Sequence, residues 1–290
     1  RSRATFRLGR ERFEERLRYR DGISLSAERL LAVAERELDR TQEQFREVAG
    51  RLNPRADAAD VWRDVKARHP APGQLVQMVR GQLEQLLVFV ERNSIVTVPA
   101  EDSVIVSPAM DFYRRKNARL WSPGPFEPRS LPSYYYVSDV DPTWPAKRIE
   151  EHLQHLNLAT LWSVSVHETY PGHFLHFSYQ RRAKQTLRKS KLFAPVSFVE
   201  GWAHYCEQMM IEAGLAREDE TIELGQLARA LLRLVRMVVA IRLHTEDMSV
   251  EQGVRFFQDK AYLEEGNARR EAERGTFDPA YVLCPTGRLM

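Results

Sequence analysis

Cysteine is scarce in this chain of 290 residues: Cys206 and Cys284 stand alone, and neither belongs to a C-x-x-C pair. That excludes a disulfide framework or a thiolate-built zinc finger, and the expectation is two free thiols. No apolar run approaches the ~20 residues that cross a bilayer, so no membrane span is expected. No basic tract is interleaved with aromatic residues, and 43 Lys and Arg against 40 Asp and Glu leave a net charge of only +3. Nothing there calls for a nucleic-acid partner. The densest basic run, Arg181 to Lys191, reads as a solvated helix face. Internal repeats and low-complexity linkers are absent too. The chain starts at Arg1 rather than at methionine, so the expectation is a C-terminal fragment of a longer protein.

What is present is an ordinary balance, 43% hydrophobic and 29% charged, over a length that can bury a large core. Its patterning is mainly α. Ser26 reads as the N-cap of a helix running to Leu52, with Leu30, Leu31, Val33, Ala34, Leu38, Phe45 and Val48 on one face. Further helices are expected over Ala58–Arg68, Gln74–Arg92, His155–Val166, Phe174–Arg188, Pro195–Gly214, Glu223–Thr245 and Val250–Leu263. Three β-branched or aromatic runs, Ile95–Val98, Ser103–Val106 and Ser133–Val137, predict one small sheet or hairpin. Leu120–Pro125 reads as loop. The division expected is a helical region with the sheet over 1–145 and a second helical region over 146–290, in one continuous domain.

The second region carries the chemistry. His167-Glu168-Thr169-Tyr170-Pro171-Gly172-His173 places a carboxylate between two imidazoles. In the zinc motif H-E-x-x-H the histidines are four apart and share a helix face. Here the step is six, about 240° on an ideal helix, so regular geometry would point the rings apart. Pro171-Gly172 offers the remedy. Proline cannot donate to the His167 carbonyl four residues back, and glycine accepts unusual dihedrals. Looping out two residues restores the four-residue step. His167 and His173 are then candidate metal ligands, and Glu168 a candidate general base that takes a proton from an activated water.

Glu200 is the candidate third ligand. In Ser197–Glu207 a polar stripe of Glu200, His204 and Glu207 runs at i, i+4 and i+7, while Phe198, Trp202 and Tyr205 supply packing. His204 could compete as a ligand; His204 and Glu207 are read as hydrogen-bond partners standing behind the ligands. His69, His152 and His155 read as surface or core histidines.

HETYPGHFLH followed by FVEGWAHYCE resembles the bacterial family of unknown function DUF885, whose members carry H-E-x-x-P-G-H and then E-G-W-A. The likeness extends over nearly the whole chain, including SYYYV, Arg242-Leu243-His244 and the closing GTFDPAYVLCPTGRL. That family is similar to gluzincin peptidases of the thimet oligopeptidase and angiotensin-converting enzyme type. The resemblance implies a helical zincin-like catalytic domain with the small sheet at the cleft edge. It implies one Zn²⁺ held by His167, His173 and Glu200, Glu168 as base, and peptide-bond hydrolysis in short peptides. The last histidine of H-E-x-G-H-x-x-H falls on His176. In one respect the chain departs from the pattern: Cys284 stands where members have a tyrosine three residues before the final glycine. If that tyrosine is an oxyanion donor, Tyr281 could replace it, or His244 with Arg242 nearby could do so; His244 also reads as a histidine placed by a helix C-terminus. Tyr135, or the Tyr134/Tyr136 pair, is expected to contact substrate from an exposed edge strand, the alternative being aromatic core packing. Two other functions fit the same residues, a catalytically inactive zincin-like binding domain and a metal-dependent amidase or esterase.

Overall fold

The Ser26 hydroxyl accepts a hydrogen bond from the Arg29 amide and starts α2 (Ala27–Leu52), the helix its apolar spacing predicts. Before it lies α1 (Arg10–Asp21), closed by Gly22 in the left-handed region. This computed structural model describes residues 5–110 and 118–289, the side chains of residues 279 and 280 apart. It is mainly helical with one three-stranded sheet. The chain forms two units that interleave in sequence. One comprises residues 1–59, 195–201 and 227–290, the other residues 60–194 and 202–226.

The first unit is built on the buried stretch of α10 (Thr221–Thr245), where Leu231, Leu234, Val235, Val238 and Ile241 are withdrawn from water. A helix apolar on nearly every side must be surrounded. The unit also holds α1 and α2, with Phe13, Leu30 and Phe45 fully buried. It continues through α11 (Val250–Ala261), which opens with a reciprocal Ser249–Gln252 capping box. Then come α12 (Glu265–Phe277), a 3-10 turn over Pro279–Val282, and α13 (Leu283–Leu289). No helix after Leu263 is predicted by apolar spacing. The buried residues of α12 are Asn267, Ala268, Ala272 and Gly275, small side chains that let helices approach without a hydrophobic stripe.

In the second unit α3 (Ala58–Lys66) leads to α4 (Leu75–Arg92), and the sheet follows. Next come α5 (Ala146–His155), α6 (Leu158–Glu168), α7 (His173–Arg181), the short α8 (Thr186–Lys189) and residues 202–212 of α9 (Val196–Glu212), whose first turns belong to the first unit. The core joins Leu86, Tyr135, Leu161, Phe174, Cys206 and Met210. His155 ends α5 rather than opening α6, which Asn157 caps by accepting from the Thr160 amide. The single helix expected over Phe174–Arg188 breaks into α7 and α8.

The sheet differs from its sequence forecast. Its strands are β1 (Val104–Pro108), β2 (Ala118–Trp121) and β3 (Ser133–Val137), in the order β1-β3-β2. Leu120-Trp121, read as loop, pairs antiparallel with Tyr134-Tyr135. Ile95–Val98 is not a strand: Ile95 closes α4 by donating to the Val90 carbonyl, and Ile95, Val96 and Val98 lean on the core. β3, expected at the edge, is central, parallel to β1 and antiparallel to β2. Its backbone is consumed by neighbours and cannot pair with a substrate.

A buried charge cluster pins the end of the first unit. Arg236 donates two hydrogen bonds, both 2.6 Å, to Glu271, and the Tyr281 hydroxyl donates to the same carboxylate. Burial raises the Glu271 carboxyl, but the Arg236 guanidinium outweighs it and holds the group at about 2 against an ordinary 4.5. A carboxyl depressed on folding stabilises above its unfolded value and loses that contribution as pH falls through the folded one. Stability to urea should therefore decline as pH drops from about 4.5 to about 2. Glu271→Gln should make that decline shallower and cost about 3 kcal/mol at neutral pH, because Arg236 is left buried beside an uncharged partner. An unchanged pH profile would show that Glu271 carries no such linkage.

Candidate metal centre

The extra length between the two histidines is taken up in a break between helices. α6 ends at Glu168, Thr169–Gly172 loop out, and α7 restarts at His173. The Thr169 amide still bonds the Ser165 carbonyl at 2.9 Å, whereas the Gly172 amide reaches back six residues to the Val166 carbonyl at 3.1 Å. His176 then donates to the Gly172 carbonyl and resumes the helical ladder. Glycine is required at 172: a Cβ there would lie 2.0 Å from the His167 carbonyl oxygen and 2.4 Å from that of Val166. The Trp202 indole donates to the Pro171 carbonyl at 3.1 Å and fastens the loop to α9.

The break brings the two imidazoles together, ring centroids 4.6 Å apart and planes at 80°. Helix α9 runs unbroken from residue 196 to 212 and anchors through Cys206 and Met210 in the core that holds α6 and α7. Glu200 rides on the same helix. His167, His173 and Glu200 each offer a ligand atom within 4.8 Å of the others, the histidines buried and the glutamate half-buried. Two nitrogens and one carboxylate oxygen at that spacing match the donor set of catalytic zinc.

Behind His167 stands Glu207, 1% exposed. Its Oε1 lies 2.7 Å from His167 Nδ1, and its Oε2 accepts from the Ser163 hydroxyl at 2.5 Å. A carboxylate at Nδ1 places the proton there and leaves Nε2 as the electron-pair donor, the tautomer a metal needs. His204 is fully buried, its Nδ1 3.8 Å from Glu207 Oε1, too long for a hydrogen bond. His176, one turn beyond His173, is pushed down to about 4 by burial and then by its neighbour His173, and is neutral near pH 7.

Glu168, next to His167, is oriented from the sheet: the Leu120 amide of β2 donates to its Oε2 at 2.8 Å. Glu200 is oriented by neighbours within its own unit. The Asp21 carboxylate accepts from the Ser197 amide at 3.2 Å in the first turn of α9. Gly201 and Gly287 meet backbone to backbone. A Cβ on Gly201 would lie 2.3 Å from the Gly287 carbonyl carbon, and one on Gly287 1.8 Å from the Ser197 carbonyl oxygen. One turn before Gly287, the Cys284 thiol donates to Glu200 Oε2 at 3.2 Å. Burial, then the Glu200 carboxylate, raise that thiol well above the usual cysteine range. Sequence reasoning singled out Cys284 as a departure, not as a partner of Glu200; the available signal was the small residue at 201 beside the proposed ligand.

Other candidates stand in settings with different chemistry. His244 is buried against Phe6 and Phe13, and its Nε2 bonds the Gly275 carbonyl at 2.9 Å. Burial lowers it below the ordinary histidine range. The Tyr281 hydroxyl is committed to Glu271, with the Arg236 and Arg274 guanidiniums 5.0 and 4.6 Å from its ring centre. Arg242 pairs with Glu35 and lies 5.5 Å from the Phe256 ring centre. Tyr135 is 0% exposed in the core of the second unit, which removes it from contact with any substrate. The alternation of a central strand explains this: Tyr134 and Tyr136 face the opposite side, half-buried, with rings stacked at 5.8 Å.

Among the described residues no helix is long and apolar enough to cross a membrane. No curated protein matches the chain. Solved structures share its fold, among them the following two. One, "a putative lipoprotein of unknown function" from Shewanella oneidensis, is 24% identical with a TM-score of 0.86; the match covers 99% of this chain and 53% of that one. The other, "the putative lipoprotein" from Colwellia psychrerythraea, is 19% identical with a TM-score of 0.79, over 96% of this chain and 47% of that one. The chain thus spans about half the length of each. The family model for bacterial proteins of unknown function designated DUF885 matches residues 1–284. On that match, which runs over nearly the whole chain, the protein belongs to the DUF885 family.

Proposed function

We propose that His167, His173 and Glu200 hold one zinc ion and that the protein is a gluzincin-like hydrolase acting on peptide bonds of short peptides. The observation that carries this reading is the convergence of two imidazoles and a carboxylate, with ligand atoms within 4.8 Å, across a helix break built around Gly172. The donor chemistry fits: the Glu207 carboxylate at His167 Nδ1 directs the other ring nitrogen to act as donor. A zinc ion so bound supplies Lewis acidity, making water a nucleophile near neutral pH and polarising a carbonyl.

The chain's own residues do the rest. Glu168 adjoins His167, and its Oε2 is occupied by the Leu120 amide, which turns the carboxylate and leaves Oε1 for proton transfer. Glu168 takes the proton from the attacking water and delivers it to the leaving amine. His167 and His173, each 7% exposed, keep bulk water from the side of the site they line. Tyr281 and His244 receive no role in this reading, since the first is held by Glu271 and the second by Gly275.

Glu168→Gln should lower turnover of a short peptide by about 10²–10⁴-fold, the span general acid–base catalysis supplies, while zinc affinity stays within a few-fold. Peptidase activity retained in that variant would remove Glu168 as the base. A panel of peptides, amides and esters separates peptidase from amidase or esterase action. Gly172→Ala forces a Cβ onto the His167 and Val166 carbonyls. It should weaken zinc binding at least ~10-fold by parting the rings, a displacement of outer support that costs metal affinity on this scale. Unaltered zinc affinity in a folded Gly172→Ala protein would mean that the loop does not set the ligand geometry.

A further inference from the structure

We infer that Cys284 is a positioning residue for the metal centre, its thiol holding the Glu200 carboxylate in place as a ligand; this rests on the metal reading above. The contact is 3.2 Å, from Sγ to Oε2, between residues 84 apart in sequence. A backbone arrangement with no slack maintains it. The first turns of α9 cross α13 at Gly201 and Gly287, and neither position has room for a Cβ: the nearest atoms would be 2.3 and 1.8 Å away, all backbone. Gly201 follows Glu200 directly, and Gly287 lies three residues, about one helical turn, beyond Cys284. The crossing therefore sets the distance between the carboxylate and the thiol.

The neighbours of α13 keep it in register. Leu283 and Thr286 are buried, and the Thr286 hydroxyl donates to the Val282 carbonyl at 2.7 Å. The Asp21 carboxylate fixes the start of α9 through the Ser197 amide. With its backbone clamped on both sides, the Glu200 side chain retains only its own rotations, and a hydrogen bond to one oxygen restricts those. Groups that orient ligands from behind are worth about 10–100-fold in metal affinity. In this respect Cys284 does for Glu200 what Glu207 does for His167.

The test measures zinc affinity of the full chain by competition with a chromophoric chelator. Cys284→Ala and the near-isosteric Cys284→Val should each bind zinc at least ~10-fold more weakly than the parent chain. Cys284→Ser, which keeps a donor, should stay within about threefold of the parent, a rescue that loss of packing alone would not give. In a Glu200→Gln background, Cys284→Ala should add less than a twofold effect, since the thiol acts through that carboxylate. Zinc binding by Cys284→Ala and Cys284→Val within twofold of the parent would overturn the inference and leave the metal reading intact. So would a Cys284→Ser protein as weak as the alanine variant. A parent chain that takes up no zinc would overturn both.

Discussion

The break between α6 and α7 is the constraint on which the proposed site depends. Six residues separate His167 from His173, and an unbroken helix would send their rings to different sides. The Thr169–Gly172 loop cancels the excess, and its geometry leaves no alternative residue at 172, where a Cβ would fall 2.0 Å from a backbone oxygen. Once that loop is formed and pinned by the Trp202 indole, two short helices present adjacent imidazoles 4.6 Å apart. The carboxylates then gather around this pair: Glu207 behind His167, Glu200 on the preceding turns of the same helix, Glu168 at the end of α6.

The three carboxylates at this site are each oriented by a contact from another part of the chain. Glu168 is turned by an amide of β2, Glu207 by Ser163, and Glu200 by the Cys284 thiol. Half-buried carboxylates left to their own rotamers would give a loose cluster; hydrogen bonds from fixed backbone and packed side chains reduce that freedom. Glycine recurs where main chains come closest, at 172 in the loop and at 201 and 287 where α9 crosses α13. These positions trade conformational entropy of the unfolded chain for approach distances no other residue permits.

Much of this was legible in the sequence because it is local. The α2 cap, the apolar faces of α2 and α4, and the looped spacing of the histidines all follow from neighbours within a few residues. The Glu200–Glu207 stripe could be read from helical period alone. Pairing was not legible. Alternation in Ser133–Val137 is plain, yet nothing local says that the strand lies between two others, so sequence alone leaves Tyr135 open between substrate contact and core packing, and it is core. β2 escaped notice because four residues beside a proline-rich stretch carry little strand signal. The helices after Leu263 escaped because small and charged residues, not an apolar stripe, make their contacts. His244 and Tyr281 looked chemically apt, but their partners, Gly275 and Glu271, are set by tertiary packing that no spacing rule reveals.

The most direct test of the account is the metal content of the purified chain, identified and counted by mass spectrometry after reconstitution with zinc and dialysis. The account predicts one equivalent of zinc per chain, abolished in His173→Ala although that variant remains folded. Less than a tenth of an equivalent in the parent chain, with no gain when zinc is supplied, would contradict it.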